Sequence, residues 1–178
     1  MSEYSESYHL RSERAEDAID LLRRAKLKGY VYQPVNGWVT FLAEEGIFEP
    51  DERIVAAASH PLLHYVSAED TGWSFRLYDR TKVVSGYRCD WDDVVHYDDS
   101  KYSRTGLQQF IPSAQPALLD HFERRMHPKD FNELFESEPP KLFAQAVGLE
   151  HYDWLAYDYI ARDFHESPEN HADVTKVL

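Results

Sequence analysis

Apolar residues recur at helical spacing in SERAEDAIDLLRRAKLKG, where Ala15, Ala18, Ile19, Leu22 and Ala25 form one stripe. Ser12 stands at the N-cap position. Glu13, Glu16 and Asp17 follow it while Arg23, Arg24, Lys26 and Lys28 lie toward the end, matching the helix dipole, and Gly29 suits a left-handed closing residue. The spacing therefore predicts a helix from Ser12 that closes at Gly29.

The period then changes. In YVYQPVNGWVTFLAEE, Asn36-Gly37 separates two runs rich in β-branched and aromatic residues, a strong hairpin signal. A two-residue loop pairs Val35 with Trp38, Gln33 with Thr40 and Tyr32 with Phe41, and Pro34, which has no N–H to give, predicts an edge position for the first strand. EPDERIVAAASHP predicts a short helix with Pro50 in its first turn and Pro61 beyond its end. LLHYVSA, WSFRLYD and KVVSGYRC predict an antiparallel three-strand meander joined by the turn signals Glu69 to Gly72 and Asp79 to Thr81, with a bulge at Gly86.

Beyond residue 113 the apolar positions are again helical. Leu118, Leu119, Phe122 and Met126 form one side of a helix capped by Ser113 and ended at His127-Pro128. DFNELFES and PPKLFAQAVGL predict two more, the latter with prolines in its first turn and Gly148 past its end. Tyr152, Leu155, Ala156, Tyr159 and Ile160 favour a helix over a strand in HYDWLAYDYIARDF. The last stretch, residues 165–178, has no periodicity and is expected to be a flexible tail after a single domain spanning 1–164.

The order of elements predicts an α+β domain. A mainly antiparallel sheet of about five strands, from a hairpin near 30–43 and a meander near 62–89, is covered by an N-terminal helix and a C-terminal group of helices. With 178 residues, 43% of them hydrophobic, the chain has enough apolar surface for one core. No apolar run approaches the roughly 20 residues needed to span a bilayer, and the N-terminus lacks the apolar stretch of a secretory signal, so a soluble cytoplasmic protein is expected. Cys89 is the only cysteine, so no internal disulfide can form.

Charge narrows the partners. The net charge is −13, of which residues 90–178 carry −10 from 8 Lys/Arg and 18 Asp/Glu. An acidic chain of this kind opposes binding to nucleic acid or to an anionic membrane and suits a basic partner or a cation.

The motifs of catalysis fail on inspection. In RCDWDDVVHYDD, residues 88–99, five aspartates and His96 crowd around Cys89. An EF-hand loop from Asp90 would place Val95 where glycine is needed and Lys101 where a glutamate ligand belongs. Asp90-Trp91-Asp92-Asp93-Val94 resembles the DxDx(T/V) pattern of the aspartate-nucleophile phosphatases, but that resemblance requires a parallel sheet. GxSxG, GxxxxGK(S/T) and GxGxxG are absent. No catalytic residue and no cofactor are assigned, and a thiolate at Cys89 is opposed by its acidic neighbours. Taken as a helix capped by Asp90, the segment carries Trp91, Val94 and Val95 on one side and sets Asp92, His96 and Asp99 at i, i+4 and i+7, a candidate metal site.

Between residues 130 and 173, eleven acidic residues face only Lys141 and Arg162 and are interleaved with aromatics. Trp154 and Tyr157 lie off the apolar stripe, flanked by Asp153 and Asp158, and are the candidates for an exposed partner-binding contact. The function expected is a non-enzymatic binding protein whose acidic, aromatic-bearing C-terminal half engages a basic protein as an inhibitor or antagonist would. The alternatives are a metal-assisted hydrolase centred on Asp92 and His96, and a small-molecule binder with a pocket between sheet and helices.

Overall fold

In the computed structural model, which describes residues 4–46 and 48–178, the chain runs β1 (Tyr4–Arg11), α1 (Ala15–Ala25), β2 (Gly29–Tyr32), β3 (Trp38–Ala43), α2 (Glu52–Ala57), β4 (Leu62–Ala68), β5 (Gly72–Asp79), β6 (Lys82–Trp91) and β7 (Val95–Asp98). It continues through α3 (Arg104–Phe110), α4 (Pro116–Glu123), α5 (Phe131–Ser137), α6 (Pro139–Ala146), α7 (Tyr157–Glu166), a 3-10 turn (Pro168–His171) and β8 (Val174–Val177). The strands form one sheet in the order β7-β6-β5-β4-β1-β3-β2-β8, each adjacent pair antiparallel. The α+β class and the antiparallel sheet are as expected; among the described residues the sheet has eight strands and not about five.

The three additional strands lack the signal that the others carry. β1 lies in the middle of the sheet, between β3 and β4, so all of Ser5 to Leu10 is buried. Its buried positions include Ser5, Glu6, Ser7 and His9, which hydrogen bonds satisfy in place of apolar packing, and Glu6 interrupts the apolar alternation of Tyr4, Tyr8 and Leu10. β8 falls in the stretch expected to be a flexible tail, where it pairs with β2. That pairing places β2 inside the sheet, away from the edge expected from Pro34.

The end of β6 and β7 replace the helix expected to start from an Asp90 cap. Cys89 pairs with Tyr97 and Trp91 with Val95 around the turn at Asp92 to Val94. The helical stripe of Trp91, Val94 and Val95 coexists with this two-residue alternation, and continuation of the long β6 ladder decides between them.

Local signals held in several places and slipped in others. Asn36 and Gly37 both have positive φ, 54° and 76°, as a type I′ turn requires, and Val35 bridges Trp38. Beyond Pro34 the register shifts by one, so Val31 faces Phe41 where Tyr32 was expected. In α6, the amide of Leu149 donates to Ala144 and that of Gly148 to Gln145, the C-terminal closure expected of Gly148. Helix α1, by contrast, starts after Arg14 and closes on left-handed Lys26, while Ser12 bonds the carboxylate of Asp17 and Gly29 begins β2. The β5–β6 irregularity lies at Leu77/Tyr78, ahead of Gly86. Helix α3 precedes the expected start at Ser113, and Gln115 occupies the N-cap position of α4 without a side-chain capping bond.

Each face of the sheet has its own core. Tyr8, Leu10, Val39, Phe41 and Leu62 pack beneath α1 and α2. On the other face Tyr65, Trp73, Phe75 and Tyr87 meet Leu107, Phe122 and Phe143 of α3, α4 and α6, with Phe75 stacked on Phe143 at 3.8 Å. Tyr30, Tyr32 and Leu42 meet Leu155 and Ile160 at the far end of that face.

Candidate functional site

The acidic hairpin distributes its side chains differently from a helix. His96 stands opposite Asp90 in the ladder, Asp92 lies in the turn, and Asp99 follows β7. The i, i+4, i+7 alignment of Asp92, His96 and Asp99 is therefore not formed. Asp99 instead meets His127 at 2.7 Å, where the imidazole also packs against Tyr97. Among the described residues no three His, Cys, Asp or Glu side chains are grouped as a metal ion would need. Cys89 is buried, and burial pushes its thiol up to about 11, so it stays protonated at neutral pH.

A serine–histidine contact that the sequence did not suggest lies in β1. Ser7 Oγ is 2.9 Å from His9 Nε2, and His9 Nδ1 is 2.9 Å from Thr40 Oγ1. The spacing matches a nucleophile and its base, but Ser7 and His9 are both 0% exposed and the third partner is a hydroxyl where a carboxylate would orient the ring. Burial drives the His9 pKa down to about 3, so the ring is neutral. This is a structural link between β1 and β3.

Access to solvent appears at the start of the same strand. A recess of about 280 Å³ opens where the ends of β1 and β4 meet α5, α6 and the segment before α7. Its aromatic surface comes from Tyr4, Tyr65, Trp91, Phe135 and Tyr152, and its charged groups among the described residues are Glu69, Glu138, Lys141 and Asp153. The Trp91 indole donates to the Glu69 carbonyl at 3.1 Å, which fixes the ring, and Phe135 meets it edge-on at 5.8 Å. Tyr65 and Tyr152 are also edge-on, at 6.1 Å. Burial, reinforced for Tyr152 by Asp153, raises both phenol pKa values, so both rings remain neutral.

Residues of the expected contact surround this recess unequally. Asp153 lines it; Trp154 follows, 59% exposed, with φ at +50°. A bulky residue rarely occupies left-handed backbone, which costs on the order of 1 to 3 kcal/mol unless surrounding contacts impose it. Here the amide of Leu155 donates to Ser5 Oγ and its carbonyl accepts from Glu6, anchoring the next residue to β1. Tyr157 starts α7 and packs against Tyr30 at 5.4 Å, which leaves it half-buried, while Asp158 is exposed. The helix expected through 151–164 begins only there.

In comparisons with known proteins, no family model, no curated protein and no solved structure matches this chain. No helix among the described residues is long and apolar enough to cross a membrane.

The sequence signal for the recess was present in part. The acid-and-aromatic stretch after residue 130 contains Phe135, Glu138, Tyr152 and Asp153. Their convergence with Glu69 and Trp91 depends on the meander and was not legible.

Proposed function

We propose that this chain is a non-enzymatic binding protein that engages a basic protein partner through its acidic, aromatic-bearing C-terminal part, in the manner of an inhibitor or antagonist. The observation that carries the reading is Trp154, a large apolar side chain held out to solvent on left-handed backbone beside Asp153. Exposed tryptophans supply much of the affinity at interfaces, and surrounding carboxylates steer a basic partner toward them. Asp158 and the −10 charge of residues 90–178 act in the same direction. Tyr157, packed on Tyr30, supports α7 and contributes at most an edge.

The test is fluorescence anisotropy with a labelled arginine- and lysine-rich peptide, compared with an acidic one, at low and high salt. The basic peptide is expected to bind, to weaken as salt screens the charges, and to lose about tenfold in affinity with Trp154→Ala. Absence of binding, or indifference to Trp154→Ala, would overturn the reading.

A further inference from the structure

The recess beside Trp154 has its own chemistry. Trp91, Phe135 and Tyr152 present aromatic surface, and Glu69, Glu138 and Asp153 place three carboxylates around it. Among the described residues Lys141 is the only base in the lining, where it pairs with Glu138 at 3.7 Å, and no Lys or Arg lies within ion-pair distance of Glu69 or Asp153. The recess is thus negative overall and rejects anions. Its volume, about 280 Å³, lies just below the range of sites for drug-sized ligands. Aromatic faces beside unpaired carboxylates favour a cation with an apolar stem, because the ring quadrupoles attract the charge and the rings cover the methylenes.

We propose that this recess receives a single basic side chain of a protein partner, its ammonium or guanidinium group set among Trp91, Phe135 and Tyr152 and paired with Asp153 or Glu69. The proposal rests on the binding function above and adds the specific cation socket. Trp91 is held ready for this by its bond to the Glu69 carbonyl, so the socket exists before the partner arrives. Trp154 then lies one residue from the socket wall and contacts the partner next to the seated side chain.

The full chain, labelled with 15N, is titrated with the blocked amino acids acetyl-arginine methylamide and acetyl-lysine methylamide, and with acetyl-glutamine methylamide as a neutral control. The four tryptophan indole signals are followed, with Trp91 assigned through Trp91→Phe. One or both cationic probes are expected to shift the Trp91 signal saturably, and the stronger of the two identifies the preferred head group. The glutamine probe leaves it in place. Phe135→Ala and Asp153→Asn, both at exposed positions, are expected to weaken that response roughly fivefold. Indifference of Trp91 to both cations, or an equal response to the neutral probe, overturns the socket. If the basic peptide binds through Trp154 while Trp91 is unmoved, the socket falls and the wider function stands. If Trp91 responds to the cations and the peptide does not bind, the socket stands and the protein-partner reading falls.

Discussion

Glu6 of β1 and His64 of β4 meet at 3.1 Å inside the sheet, the carboxylate side chain 7% and the imidazole 1% exposed. They are diagonal neighbours, since His64 pairs with Tyr8 and Glu6 with Val66. The second oxygen of Glu6 accepts from the backbone amide of Phe48 at 3.2 Å, and the Tyr8 ring covers His64 at 4.7 Å. One carboxylate thus joins two central strands to the loop before α2. Glu6→Leu leaves the imidazole and the Phe48 amide without their acceptor and is expected to destabilise the protein by about 3 kcal/mol. Glu6→Gln keeps an acceptor and is expected to cost about 1 kcal/mol. Urea unfolding of both variants, with His64→Leu alone and combined, gives the coupling; near-additivity would show that the pair contributes little.

His9 makes stability depend on pH. Its folded pKa of about 3 lies below the value of about 6.5 for an unfolded histidine, so in that window the unfolded chain binds the proton first. Its stabilisation is complete above about pH 6.5 and is lost as pH falls toward 3, at up to about 1.4 kcal/mol per pH unit. Carboxylates titrate over part of the same range, so the informative quantity is the difference from His9→Gln. Wild type is expected to lose stability more steeply than His9→Gln between pH 6 and 4 by about 1 kcal/mol per unit, as read from urea midpoints. Parallel curves would show that His9 is not the group responsible.

Gly106 lets α3 lie directly on β6. A Cβ built there would stand 2.3 Å from the Val84 carbonyl oxygen. Gly106→Ala is therefore expected to destabilise by about 1 to 3 kcal/mol, although alanine is the better helix former by about 1 kcal/mol. Thermal unfolding reads the sign directly. A rise in Tm would mean that α3 moves off the strand without cost.

The final strand is expected to contribute to the whole fold. Val174 and Val177 are buried on opposite faces, one against the α7 core and one against the α1 core, and the amide of Gln33 donates to the Asp173 carbonyl. Deleting residues 173–178 is expected to lower stability by about 3 kcal/mol or more, because two buried valines and the ladder with β2 are lost. Equal urea midpoints for the truncated and full chains would show that the strand adds nothing.

The sequence by itself determined the elements whose signals are local. The positive φ values at Asn36-Gly37 require residues that tolerate them, Gly148 closes α6 for the same reason, and the alternation of Trp73, Phe75 and Leu77 marks β5 with one face inward. The acidic bias after residue 90 was likewise open to inspection. Tertiary structure alone decided the rest, because those segments satisfy their buried groups through distant partners. β1 is central yet half polar, since Thr40 and His64 complete the bonds of His9 and Glu6. β8 is a strand because β2 offers it an unpaired ladder. Residues 88–99 fit both a helical stripe and a two-residue alternation, and β5, by extending the β6 ladder, selects the hairpin. The recess likewise exists only once the end of the meander meets the segment carrying Tyr152 and Asp153. Contacts between residues so far apart in the chain leave no periodic trace along it.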